Sequence, residues 1–338
     1  MRYPYGSMRR AAGVQPLLLG ILALILIVAD GMLGAANAQT MRVTLLGTGR
    51  PTPLHDRFEA ATLVEAGETV LLFDAGRGVS IRIWQLGMPL RDVDAVFITH
   101  FHSDHISGLA DFWLTGWLPP AFGQRTEPLR IWGPKGLRDV TSGLEAAYKR
   151  DIDIRVADEH LLRSAATFDV TEFDHDGVVY DHDGVKVTAF AVDHGALIKP
   201  AYGYRVDYAG RSAVISGDTR YDERIAEIGR GVDVLIHEVV TGRDGLYDKH
   251  PELISIRDHH TTPEQAGRIF ATAKPKLAVY THLVNLSAPG FPVLDDEDIV
   301  AQTRRTYSGP LVVGHDLMGI EIGDAVAVYD RTKPGLEQ

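Results

Sequence analysis

Three histidines and an aspartate crowd residues 100–105 of the stretch ITHFHSDHISGL, in a chain that has fourteen histidines in all. A helix would scatter positions 100, 102 and 105 around its circumference, so packing of one helix face does not explain the cluster. The apolar run DAVFIT before it reads as a buried strand of a parallel sheet. The cluster therefore sits on the loop leaving a strand's carboxyl end, where open α/β folds collect their ligand sites. Three further residues end strand-like runs in the same way: His194 in AVDHG, Asp218 in ISGDT and His282 in VYTHL. Imidazoles and carboxylates converging without a thiol suit a borderline divalent metal, zinc first. The absence of cysteine also excludes disulfides, thiolate ligands, a cysteine nucleophile and a lipid-modified cysteine. His55, His160, His175, His182, His250 and His315 stand apart from this pattern and read as ordinary side chains.

The elements that must bring these residues together alternate along the chain. Strand patterns lie at 41–47, 61–66, 69–75, 94–100 and 129–133, and a second set at 185–194, 202–209, 212–218, 232–240, 277–282 and 310–316. Helices fit 77–87, 106–117, 135–149, 221–229, 263–273 and 295–305. The helix at 263 is well marked, with Thr262 as cap, Pro263 in the first position and Gln265 as capping-box partner. No Pro- or Ser-rich linker divides the chain, so the two strand sets read as halves of one domain with a seam within 150–184. The class that follows is α/β, a four-layer αββα sandwich.

Residues 1–38 read differently. Arg2, Arg9 and Arg10 precede an apolar run from Leu17 to Ala29, and Ala36-Asn37-Ala38 offers the small-residue exit of a secretory signal. The run is shorter than the ~20 residues that span a bilayer, although an uncleaved N-terminal anchor is the alternative. Export to the periplasm or medium is the expectation, with 39–338 as the working domain and no stable membrane span after cleavage. Without the three arginines and one aspartate of 1–38, the formal charge moves from −11 to −13. Such a surface repels polyanions unless its cations are gathered, and no basic run is visible.

The motifs then resemble a known family. LLGTGRPTPLHDRFEAATLVEAGETVLLFDAGRG, THFHSDHISGL, RTEPLRIWGPKGL, ISGDT, DVLIHEVV, HHTTPEQAG and VYTHL follow one another in the order of the metallo-β-lactamase superfamily, in its ribonuclease Z and arylsulfatase-like branch. The resemblance spans about residues 41–320. It implies two Zn2+ per chain, the first held by His100, His102 and His194, the second by Asp104, His105 and His282, with Asp218 bridging. Asp74, in LLFDAG, is then a supporting carboxylate behind the metal loop.

Two zincs ~3.5–4 Å apart imply hydrolysis by a hydroxide held between them, with Asp104 able to orient it. His260 in the HHTT segment fits the general acid for the leaving group and Glu238 its orienting partner, while His259 is the competing choice and His237 packs in its strand. A phosphodiester is the first substrate class, an aryl sulfate the second and a lactone the third. Ribonuclease Z carries a tRNA-clasping arm, often between the residues matching His194 and Asp218. Here that gap is 24 positions, filled by ordinary strand patterns. A small-molecule ester is therefore the expected partner and tRNA a poor one; a homodimer is compatible. A zinc-holding protein without catalysis would need a missing ligand or acid, and none is missing. Trp113 and Trp117, i and i+4 after the metal loop, and Arg57 in the rim segment RPTPLHDR are candidate pocket residues.

Overall fold

Alternating strand residues point to opposite faces of a sheet. In the computed structural model, which describes residues 40–332 except residue 121, both faces of two sheets are accounted for. The first half supplies β1 (Met41–Gly47), β2 (Ala61–Ala66), β3 (Thr69–Phe73), β4 (Ala95–Phe97), β5 (Leu129–Pro134) and β6 (Phe168–Phe173). The second supplies β7 (Gly177–His182), β8 (Val185–Ala191), β9 (Tyr202–Tyr208), β10 (Arg211–Ile215), β11 (Val234–Thr241), β12 (Leu277–Asn285) and β13 (Leu311–Val313). A last hairpin, β14 (Met318–Ile322) and β15 (Val326–Asp330), returns to the first sheet beside β1. The orders are β15-β14-β1-β2-β3-β4-β5-β6 and β13-β12-β11-β10-β9-β8-β7. In each sheet one half is parallel, β3 to β6 and β10 to β13, and the rest antiparallel.

Three apolar seams follow from the alternation. Val43, Leu45, Phe73 and Phe97 of the first sheet meet Tyr204, Val206, Ile236 and Val279 of the second. The opposite face of the first sheet, with Leu46, Leu72, Val96 and Ile98, packs on the helices Val79–Gln85, Leu109–Trp117 and Leu137–Asp158. Val214, Leu235 and Ala278 of the second sheet pack on Glu223–Ile228, Pro263–Ala273 and Asp296–Thr303. The result is helix, sheet, sheet, helix, the four-layer α/β sandwich expected.

The seam lies at residues 174–176, where the chain leaves β6 at the edge of one sheet and enters β7 at the edge of the other. Trp113 and Trp117 do not reach a pocket. Trp113 is fully buried and stacks near Phe168, and Trp117 donates its indole N–H to the Leu162 carbonyl at 3.0 Å. Both complete the seam between the first sheet and its helices, which needs large apolar side chains at this spacing. The described residues from Thr40 onward form one compact unit. The expected signal segment, 1–38, lies outside the described residues. Among those described, no helix is long and apolar enough to cross a membrane.

Candidate metal centre

Parallel strands β3 and β4 deliver their carboxyl ends side by side, and the metal loop grows from that pair. The Asp74 backbone N–H donates to the Phe97 carbonyl at 2.8 Å, and Ala75 N–H to the His105 carbonyl at 2.8 Å. The loop then folds back until Gly108 lies against the backbone of Gly76, where a Cβ would meet the Gly76 carbonyl oxygen at 2.2 Å. Only glycine permits that approach.

Asp74 holds the loop from behind. Its Oδ1 accepts from Thr99 N–H at 2.8 Å, and its Oδ2 lies 2.7 Å from His105 Nδ1. With the Thr99 hydroxyl donating to Asp74 at 2.9 Å, its oxygen is left to accept from His100 Nδ1 at 3.0 Å. Both rings thus carry their protons on Nδ1 and aim Nε2 inward. Those two Nε2 atoms are buried and have no hydrogen-bond partner, which suits nitrogens that ligate a cation once any second proton has left. His194 follows the same rule from the second sheet, donating Nδ1–H to the His259 carbonyl at 2.8 Å. Its Nε2 stands 3.2 Å from His102 Nδ1.

Asp218 lies between the two groups of ligands. Its Oδ2 is 3.4 Å from both His105 Nε2 and His282 Nε2, 3.7 Å from His194 Nε2 and 3.9 Å from His100 Nε2. Asp104 Oδ2 lies 3.1 Å from His282 Nε2. Two donor sets emerge, His100, His102, His194 and Asp218, and Asp104, His105 and His282, each with its atoms within 4.8 Å of one another. His282 does not end its strand. It sits inside β12 on a bulge opposite the step from Glu238 to Val239, at φ 42°. The extra residue turns the imidazole out of the sheet and onto Asp104 and Asp218.

The electrostatics suit a divalent cation. Burial lowers the pKa of His100, His102 and His194, the last to about 4, so these rings are neutral donors. Burial also opposes charge on Asp104 and Asp218, but the neighbouring His282 and His105 outweigh it and both acids are held below their ordinary range. His105 is pushed well above its usual value, since Asp218 and Asp74 outweigh its burial. A cation entering there replaces a proton between His105 and Asp218.

Beside the cluster, His260 Nδ1 meets Glu238 Oε2 at 3.1 Å, and Glu238 Oε1 accepts from Thr261 N–H at 2.8 Å. Burial would lower the His260 pKa, but Glu238 overrides it and lifts the ring to about 9. His260 lies nearly parallel to His282, ring centres 5.7 Å apart, and joins Asp218 and His282 in a third grouping of donor atoms. His237 packs on Phe270 in its strand.

A cavity of about 420 Å³ opens over Asp104, Asp218, His282 and His260, with His259 on its wall. The rim segment does border it, through Arg50, Pro51 and Thr52. Arg57 does not. Its guanidinium turns back to Thr48 Oγ1 at 2.6 Å and the Gly314 carbonyl at 2.9 Å, fastening the loop rather than facing the cavity. Arg50 is thus the cavity arginine that reading the sequence missed; the rim segment pointed to the loop, and its backbone path decided which cation faces inward.

Residues 69–283 match a family model described as the beta-lactamase superfamily domain. The chain is 34% identical over 284 residues to a ribonuclease Z of Mycobacterium marinum, covering 83% of this chain and 99% of that one. A ribonuclease Z of Mycobacterium avium is 35% identical over 284 residues, covering 83% and 98%. Among solved structures, the metallo-beta-lactamase fold protein YhfI of Bacillus subtilis superposes with a TM-score of 0.63 at 18% identity, covering 84% of this chain and all of that one. Human tRNase Z, short form, gives 0.60 at 24% identity, covering 82% and 98%. The expectation that tRNA is a poor partner draws no support from relatives with these names. What the structure adds is local: between His194 and Asp218 stand only β9, β10 and their connections, and β9 and β10 pair as an ordinary hairpin.

Proposed function

Because the chain belongs to the metallo-β-lactamase superfamily, in its ribonuclease Z branch, we propose that it is a metal-dependent hydrolase of phosphodiester bonds. The observation that carries the reading is the pairing of two adjoining donor sets, with the Asp218 carboxylate lying between them and a carboxylate-held histidine, His260, at the same cavity. His100, His102 and His194 would hold one ion, Asp104, His105 and His282 a second, and zinc suits seven nitrogen and oxygen donors without a thiol. When bound, such ions supply Lewis acidity toward ester oxygens and acidify water at neutral pH.

The chain's own groups do the rest. Asp74 and the His259 carbonyl fix the ring orientations of His105 and His194, so the donors need no rearrangement. Glu238 keeps a proton on His260, whose ring faces the cavity. His260 gives that proton to the departing oxygen as the ester bond breaks, and Glu238 stabilises its position throughout. The purified protein supplied with zinc is expected to hydrolyse bis(4-nitrophenyl) phosphate well above its rate on 4-nitrophenyl sulfate or a lactone. Turnover of the sulfate or lactone alone would sink the phosphodiester reading.

An RNA phosphodiester is a second reading, favoured by relatives named ribonuclease Z. An RNA oligonucleotide with a 3′ extension, run in the same assay, separates it from a small diester. The arginines, apolar run and Ala36-Asn37-Ala38 of the N-terminus support action outside the cytoplasm. Mass spectrometry of the protein from its own cell should then find a mature N-terminus at Gln39; an intact Met1 in soluble protein would overturn export.

A further inference from the structure

We infer that Arg50 binds the anionic oxygen of the substrate's ester group and makes this cavity selective for charged over neutral esters. The inference rests on the hydrolase reading above and goes beyond it by naming the residue that sets substrate charge.

Arg50 borders the same cavity as Asp104, Asp218 and His260. Its Nε donates to Thr52 Oγ1 at 3.1 Å, which fixes the plane of the guanidinium. Its Nη1 is buried and has no hydrogen-bond partner, and Arg50 forms no ion pair among the described residues. The guanidinium charge is therefore not neutralised within the chain, and an anion in the adjoining cavity would pair with it. The other arginine of the segment is spent on structure, since Arg57 binds Thr48 and Gly314.

The loop also holds Arg50 in register with the metal ligands. Thr48 is pinned by Asp316 through its N–H and its hydroxyl, both at 2.9 Å. The Thr48 carbonyl accepts from Leu283 N–H at 2.9 Å, one residue past His282. Gly49 donates to the Phe58 carbonyl at 2.6 Å and closes the base of the loop. Arg50 therefore projects from a clamped base whose position is tied to the His282 bulge, which is the pre-organisation an oriented anion contact requires. A guanidinium fork matches two oxygens of a phosphoryl or sulfuryl group, and a carboxylic ester or lactone offers no such charge.

The test compares wild type, Arg50→Gln and Arg50→Lys, each zinc-loaded and checked for metal content, on bis(4-nitrophenyl) phosphate, 4-nitrophenyl sulfate and neutral 4-nitrophenyl acetate. Inorganic phosphate binding by calorimetry is measured in parallel. Arg50→Gln should lose roughly 10- to 100-fold in kcat/KM on the anionic substrate the wild type uses, and a similar factor in phosphate affinity. Acetate turnover should change less than about threefold, and Arg50→Lys should fall between, keeping charge without the fork. Which anion the wild type prefers separates the phosphate from the sulfate source. If the wild type hydrolyses neither anion, the phosphodiester reading fails while phosphate affinity still decides the role of Arg50. Unchanged phosphate affinity in Arg50→Gln, or equal losses on charged and neutral esters with metals retained, would overturn the inference.

Discussion

At the scale of single residues, the proposed acid role of His260 turns on the proton its ring holds. Glu238 lifts that ring to about 9 against the effect of burial. A raised pKa means the acid form is complete at lower pH and is lost as pH rises through it, so a general acid at this position should set the alkaline limb of kcat/KM. Bound cations push the ring down in wild type and variant alike, which makes the difference between them the clean observable. Glu238→Gln removes the attracting charge, and the alkaline limb should move to lower pH by about 1–2 units; an unmoved limb would mean that another group holds the proton. His260→Ala should slow an alkyl-leaving diester by about 10²- to 10⁴-fold and a nitrophenyl diester far less, because nitrophenolate departs without a proton. Zinc content, measured by elemental analysis, should stay unchanged. A loss of zinc would make His260 a ligand, in keeping with its nearness to Asp218 and His282. The residue types and spacing of ITHFHSDH pointed to this cavity before any fold was visible. Arg50 was not legible in the same way, because the choice between Arg50 and Arg57 depends on contacts with Gly314 and Asp316, more than 250 positions away.

At the scale of elements, legibility followed burial. Strands β1 and β2 have the bounds that alternation and apolar content indicate, and the helix Pro263–Ala273 carries its capping box as written in Thr262 and Gln265. Strands β6 and β7 went unread because they are sheet edges with charged faces, FDVTEF and GVVYDH, which need burial on one side only. The helix Leu137–Asp158 outruns its apolar pattern because Lys149–Asp153, Asp151–Arg155 and Arg155–Glu159 pair at i, i+4 along its polar end. The β12 bulge was invisible for a different reason: it exists only relative to β11, so no pattern within VYTHL records it. Asp316 shows how such distant elements are locked together. Its carboxylate takes Thr48 N–H, Phe58 N–H and the Arg82 guanidinium, and both partners of the ion pair are largely buried. Asp316→Ala would strand Arg82 and two backbone donors, and should cost about 3–5 kcal/mol in urea unfolding. A loss under 1 kcal/mol would show that water replaces those contacts and that the rim loop is not clamped there.

At the scale of the whole molecule, the donor sets span the sandwich. His100, His102, Asp104 and His105 come from the loop and the one-turn helix Ser103–Ile106 that follow β4 of the first sheet, whereas His194 and Asp218 follow β8 and β10 of the second and His282 lies in its β12. A metal bound by both groups holds the native state only, since the unfolded chain cannot gather ligands from residues 100 to 282. Metal free energy is therefore folding free energy. At a zinc concentration 1,000 times its Kd, one site adds about 4 kcal/mol. For a domain of about 300 residues, that corresponds to a rise in Tm of roughly 6 °C over the chelated protein. Zinc should also displace the proton that Asp218 and Asp74 keep on His105, whose pKa stands well above the ordinary histidine value. Titration calorimetry in buffers of different ionisation enthalpy should then report proton release on binding near neutral pH, and the release should fade as the pH is raised and His105 loses its proton beforehand. Asp218→Ala removes the carboxylate that lies between the two sets, so both the second equivalent of zinc and most of the Tm gain should disappear together. A chelated protein that melts at the same temperature as the zinc form would mean that the two sheets are joined without metal, and the stapling role would fall.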